Sequence, residues 1–178
     1  MADHILFLRH FETQLNSEKR ISGRSPDIPI LESREIHCAM TVDAVLCSPV
    51  VRCRQTLNEF LKNHQAGSVC YTWELAERHM GELEGCLRSE MALKYPELFF
   101  GEKFRLFETP PGGESFEAFH SRVQAFWENY QDITEGTLLI CSHNQFLKML
   151  YLIIHDLPVT ETQWKTIHFP TGKIEMII

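Results

Sequence analysis

The sequence predicts an α/β fold, a three-layer α/β/α sandwich built on a mostly parallel central sheet. Two patterns predict it: three short apolar runs stop abruptly at polar or charged residues, and segments of helical period lie between and after them. Size and composition agree. The 178 residues are 44% hydrophobic and 23% charged, enough for one full core and short for two. One domain over residues 1–178 is expected.

The first strand is His4 to Leu8, and runs of the same shape follow at Ala44 to Cys47 and Thr137 to Cys141. Uniformly apolar runs of this length suit parallel strands buried on both faces. Ser48 and Pro49 read as the cap and first turn of a helix carrying Val51, Leu57, Phe60 and Leu61. A second helix begins near Gly112 and Gly113 and repeats Phe116, Phe119, Val123, Phe126, Trp127 and Tyr130 at three- and four-residue steps, a core-facing stripe. Gln145 to Ile154 is apolar nearly all round and is expected to be buried on most sides. Right-handed crossovers would join these units. Leu83 to Pro111 departs from the rhythm, with Phe99, Phe100, Phe104 and Phe107 among Lys94, Lys103 and Arg105. It reads equally as a lid or cap insertion and as aromatic packing beneath a surface excursion.

Several function classes are disfavoured. The apolar run before Arg9 is too short for a signal peptide core and no positive charge precedes it. No later run reaches membrane-spanning length. The six cysteines show no paired CxxC spacing, so they read as buried apolar residues in a reducing cytoplasm. A formal net charge of −7 argues against a nucleic-acid surface, which needs clustered Lys and Arg. The sequence does not define an oligomeric state.

Ligands of open α/β sheets bind at the carboxyl ends of strands. Arg9, His10, Phe11, Glu12, Thr13 and Asn16 follow the first run. Ser48, Pro49 and Arg52 follow the second, and Ser142, His143 and Asn144 follow the last, at a helix start whose free N–H groups favour an anion. Two histidines and two arginines would form a cationic pocket for a tetrahedral dianion, with phosphate the obvious candidate. A neutral imidazole can attack phosphorus and hold the phosphoryl group. His143 would donate a bond to the crowded oxygens. A leaving alcohol needs a proton from a carboxylic acid kept neutral by burial and by its neighbours, and Glu77 in LAERHMGELEG is the candidate.

These segments, taken together, resemble the histidine phosphatase superfamily, or phosphoglycerate mutase-like family, over nearly the whole chain. LFLRHFETQLN is similar to RHGETxxN, and ISGRSPDIPIL to the stretch that follows it. SPVVRCRQT is similar to SPLxRAxQT, LAERHMGELEG to LxExxxGxWEG, PPGGES to PGGES, and LLICSHNQF to the closing histidine motif. The resemblance implies a phosphoglycerate mutase-like fold, phosphorylation of His10, a phosphate clamp of Arg9, Arg52 and His143, and proton donation by Glu77. It also implies that Thr13 and Asn16 line the phosphate pocket and that Arg24 reaches toward it. A metal-free reaction without a cofactor is implied too, matching the lack of HxxxH or paired-cysteine spacing. Three positions depart from the pattern: Phe11 and Asn144 replace glycines, and Leu83 replaces a tryptophan. Phe11 would alter pocket shape, Asn144 would contact substrate or cap its helix, and Leu83 would change packing only.

The expected activity is that of a cytoplasmic acid-type phosphomonoesterase acting on a small phosphorylated metabolite. One alternative is mutase-type transfer, in which Arg78 of ERHMG would contact a substrate carboxylate; the chain's compactness favours water. Another is a phosphate-binding interaction module with weak turnover. A cysteine phosphatase is disfavoured because only four residues separate Cys47 from Arg52.

Overall fold

The computed structural model describes residues 2–25 and 27–178; Met1 of the opening segment and Pro26 of ISGRSPDIPIL lie outside the described residues. In chain order the elements are β1 (His4–Arg9), α1 (Gln14–Ser17), β2 (Val42–Cys47), α2 (Val51–Leu61), β3 (Ala66–Tyr71), α3 (Arg88–Lys94), β4 (Phe99–Phe100), β5 (Lys103–Phe104), α4 (Phe116–Tyr130), β6 (Thr137–Ser142), α5 (Asn144–Ile154), α6 (Glu161–Thr166) and β7 (Ile174–Met176). The main sheet has the order β3-β2-β6-β1-β7. Its first four strands are parallel, and β7 joins β1 antiparallel.

Side chains alternate across a strand, so uniformly apolar strands build a core on each face. On one face Ile5, Phe7, Ala44, Leu46, Leu138 and Ile140 meet Phe119 and Phe126 of α4 and Phe146 and Leu150 of α5. On the other, Leu6, Leu8, Val45, Cys47, Leu139 and Cys141 meet Cys53, Leu57 and Phe60 of α2. The predicted three layers are present, and α4 carries the predicted stripe. Among the described residues, no helix is long and apolar enough to cross a membrane.

Ser48 and Pro49 do not cap α2. That helix starts at Val51 with Val50 as an uncapped N-cap, because the Ser48 hydroxyl is engaged with His143 instead. The stretch 83–111 folds as α3, one helical turn and the β4-β5 hairpin. Leu83, Leu98 and Phe99 join Ile21 and Met80 in a third apolar cluster, with Phe104 against it. Leu83 is thus a packing residue. Phe100 stays 69% exposed at the rim of the cavity described next.

Candidate active site

Register places the site. β1 and β6 run in step to Arg9 opposite Ser142, and β2 and β6 to Cys47 opposite Cys141. The residues that follow therefore leave the sheet along one edge. A cavity of ≈ 400 Å³ opens there, and Arg9, His10, Asn16, Arg52, Glu77, His143 and Asn144 all line it.

His10 is buried, and its Nδ1 lies 2.6 Å from the Phe11 carbonyl oxygen. A carbonyl only accepts, so Nδ1 carries the proton and Nε2 of the neutral ring keeps its lone pair. Burial, then Arg52 and Arg9, hold the His10 pKa well below its usual range. Burial, then Arg52 and His10, do the same to His143. The two rings meet edge-on with centroids 5.2 Å apart. Arg52 Nη2 lies 3.2 Å from His143 Nδ1. Arginine only donates, so Nδ1 accepts and Nε2–H donates to Ser48 Oγ at 3.0 Å. Ser48, read as a helix cap, is instead the partner that orients His143.

Arg52 is fully buried. Its terminal nitrogens donate to the carbonyls of Ser25 at 2.6 Å and Gly23 at 3.0 Å, while Arg9 Nη1 donates to the Phe169 carbonyl at 3.1 Å. The Nε atoms of both arginines, and Asn144 Oδ1, are buried without a partner. Buried polar groups are nearly always satisfied, so orphaned donors on two arginines that line a cavity set this place apart. Among the described residues, no group of three or more His, Cys, Asp or Glu could hold a metal ion.

The helix end contradicts one expectation. The N–H groups of Gln145 and Phe146 are not free: they donate to Glu77 Oε2 at 3.0 Å and Oε1 at 3.1 Å. Oε1 also accepts the Arg78 N–H at 3.0 Å. The anion at the positive end of α5 is therefore the protein's own carboxylate. The neighbours expected to keep Glu77 neutral are instead hydrogen-bond donors to its oxygens. Its main chain is clamped as well, since Arg24 Nε donates to the Glu77 carbonyl at 3.0 Å and Arg122 Nη2 at 3.4 Å. Both arginines pair with Glu114 of PPGGES at 2.9 Å.

Three candidates fall outside the cavity lining. Arg24 reaches Glu77 and Glu114 rather than the phosphate pocket. Thr13 is buried as the N-cap of α1, in a capping box with Asn16. Arg78 is fully buried and donates to the carbonyls of Leu106, Glu108 and Glu114. It ties down the loop after β5 and lies outside the cavity lining. Phe11, feared as an intruder, turns away into the apolar face under α2. Asn144 is the first residue of α5 and makes no cap.

Sequence reasoning missed Arg88 and Lys148, which also line the cavity. Nothing local marks Arg88. Lys148 interrupts the otherwise apolar α5, a signal that was present.

A model of the histidine phosphatase superfamily (branch 1) matches residues 5–177. A bifunctional protein of Mycobacterium tuberculosis is 32% identical over 161 residues, 85% of this chain and 44% of that protein, so the chain spans under half of that relative's length. A 2,3-bisphosphoglycerate-dependent phosphoglycerate mutase of Methanosarcina mazei is 25% identical over 217 residues, covering 98% of this chain and 89% of the mutase. The crystal structure of the α-ribazole phosphatase of Shigella flexneri shares the fold, with a TM-score of 0.76 and 24% identity over 97% of this chain and 89% of that one.

Proposed function

Since the chain belongs to the histidine phosphatase superfamily (branch 1), we propose that it is a cytoplasmic phosphomonoesterase acting on a small phosphorylated metabolite through a phosphohistidine at His10. The observation that carries the reading is the pair of unpartnered, buried Nε donors on Arg9 and Arg52 beside an imidazole whose lone pair is at Nε2. A phosphate dianion in the cavity these two residues line gives their guanidinium groups the charge-assisted partner that arginine favours.

In the first step His10 Nε2 attacks phosphorus and the bond to the ester oxygen breaks. The leaving oxygen takes a proton that Glu77 has received from the ester bound as a monoanion, and the ring takes positive charge that the Nδ1–H bond to the Phe11 carbonyl disperses. Arg9 and Arg52 stabilise the charge crowding onto the transferred oxygens. Burial, then Arg52 and His10, hold the His143 pKa down; a bound dianion offsets the neighbouring charges and favours a protonated ring that donates to the same oxygens. In the second step water attacks the phosphohistidine, Glu77 recovers its proton, and phosphate leaves.

Release of phosphate from p-nitrophenyl phosphate tests this. The wild-type chain is expected to turn over, and His10→Ala and Arg52→Ala to lose at least about a hundredfold in kcat/KM. Equal rates in wild type and His10→Ala would refute it.

A further inference from the structure

Thr56, the last residue of SPVVRCRQT, is fully buried in the middle of α2 and lies outside the cavity lining. Its Oγ1 donates to the Arg52 carbonyl, four residues back, at 2.7 Å. That bond alone is ordinary for a threonine inside a helix. The second one is not. Oγ1 also accepts the Phe11 N–H at 2.9 Å, from a residue 45 positions away in the chain. An amide only donates and a carbonyl only accepts, so the hydroxyl turns a lone pair toward Phe11 and its proton toward Arg52. One oxygen thus ties the segment carrying His10 to the helix carrying Arg52.

We propose that Thr56 is a positioning residue for the nucleophile: by holding the Phe11 amide from α2, it aims the Phe11 carbonyl at His10 and selects the Nδ1–H tautomer that leaves Nε2 free to attack. Its kinetic consequence rests on the phosphatase reading. The tautomer itself is a property of the resting chain.

Phe11 is where the chain leaves the sheet. The His10 N–H still reaches the Ser142 carbonyl at 3.1 Å, and the next amide turns to Thr56 instead of a strand. A buried N–H left without an acceptor is expensive, so this bond restrains the residue strongly. The Phe11 carbonyl, on the same residue, lies 2.6 Å from His10 Nδ1. Only the φ and ψ of one residue separate the amide that Thr56 holds from the carbonyl that holds His10. Fixing the first restrains the second. The Phe11 ring packs in the apolar cluster with Leu57 and Phe60, but apolar contact has no direction and does not set the rotation of a peptide group. A hydrogen bond does. Without a directed carbonyl, a neutral imidazole is free to carry its proton on either nitrogen, and the Nε2–H form has no lone pair for phosphorus.

Thr56→Val keeps the shape of the side chain and removes the hydroxyl. It is expected to lower kcat/KM on p-nitrophenyl phosphate by about tenfold to a hundredfold. Inhibition by inorganic phosphate should stay within about twofold, because Arg9 and Arg52 keep their own carbonyl anchors. Thr56→Ser, which keeps the hydroxyl, should restore most of the loss. Heteronuclear NMR of the histidine ring nitrogens, with His10 identified by its absence from His10→Gln, reads the tautomer. The wild type should show Nδ1–H at His10, and Thr56→Val a mixture with Nε2–H. A wild-type rate or a wild-type tautomer in Thr56→Val, or a loss that Thr56→Ser does not repair, overturns the proposal. An Nε2–H ring in the wild type overturns it without any variant. Should the wild type turn over no ester, the phosphatase reading fails by itself, and the tautomer comparison alone decides the role of Thr56. If Thr56→Val does not fold, Thr56→Ala removes the same hydroxyl and is read in the same way.

Discussion

The Phe11 ring occupies the space that a side chain on Gly172 would need: a Cβ there would lie 2.0 Å from Phe11 Cε1, and Gly172 has φ +64°. The largest departure from the RHG pattern is therefore accommodated across the sheet edge, by a glycine, and not inside the cavity. Gly172→Ala combines a clash with a left-handed backbone and is expected to cost about 2–4 kcal/mol in urea unfolding. Phe11→Leu should cost only about 1–1.5 kcal/mol and leave kcat/KM within about twofold. A large kinetic loss in Phe11→Leu at unchanged stability would mean that the ring shapes the site.

Glu77 has two roles in one carboxylate, holding the start of α5 and supplying a proton. Glu77→Gln keeps one acceptor oxygen and should lower stability by about 1–2 kcal/mol. It should slow alkyl phosphates, with their poor leaving groups, far more than p-nitrophenyl phosphate. A uniform slowdown across leaving groups would reduce Glu77 to a structural anchor.

Arg78 is expected to report on stability rather than on substrate. Arg78→Met leaves the carbonyls of Leu106, Glu108 and Glu114 without their donor, a loss of about 3–5 kcal/mol visible as a lower thermal midpoint. If stability were unchanged and KM alone rose, the three carbonyl bonds would not be what Arg78 is for.

How much of this was legible follows from where each signal lies. β1, β2 and β6 are the central strands, buried on both faces, so their composition alone marks them. The edge strands were not legible: β3 reads AGSVCY and is mostly exposed, and β7 has only three residues. The stripe of α4 and the apolar wheel of α5 were readable, whereas α3 has no fully buried residue and only Met91 and Ala92 pack against the third cluster. Arg9, His10, Arg52, Glu77 and His143, which line one cavity, could be singled out in the sequence because each follows a readable strand or sits in a motif. The true directions of Arg24, Arg78 and Thr13 depend on carbonyls and caps distant in sequence or set by local turns. Arg88 and Lys148 line one cavity although α3 and α5 are distant in sequence.

Acid should unfold the protein through its two buried imidazoles. Burial, with Arg52 foremost among the neighbouring charges, holds both His10 and His143 well below their ordinary range. The unfolded chain protonates them near about pH 6.5. Their contribution is thus fully present above that pH and lost as pH falls, by up to about 1.4 kcal/mol per pH unit for each ring. Urea titrations between about pH 7 and pH 5 should show a shallower fall in a His10→Gln, His143→Gln double variant. The same slope in both proteins would show that other groups drive the acid transition.

The central claim is that His10 Nε2 carries the phosphoryl group in turnover. Rapid quench of the chain with a labelled phosphomonoester, followed by alkaline work-up and peptide mapping, tests it most directly. The account predicts label on His10 that is stable in alkali, lost in acid, absent from His10→Ala, and longer-lived in Glu77→Gln. Turnover in the wild type with no label on His10, or label that persists in His10→Ala, would contradict it.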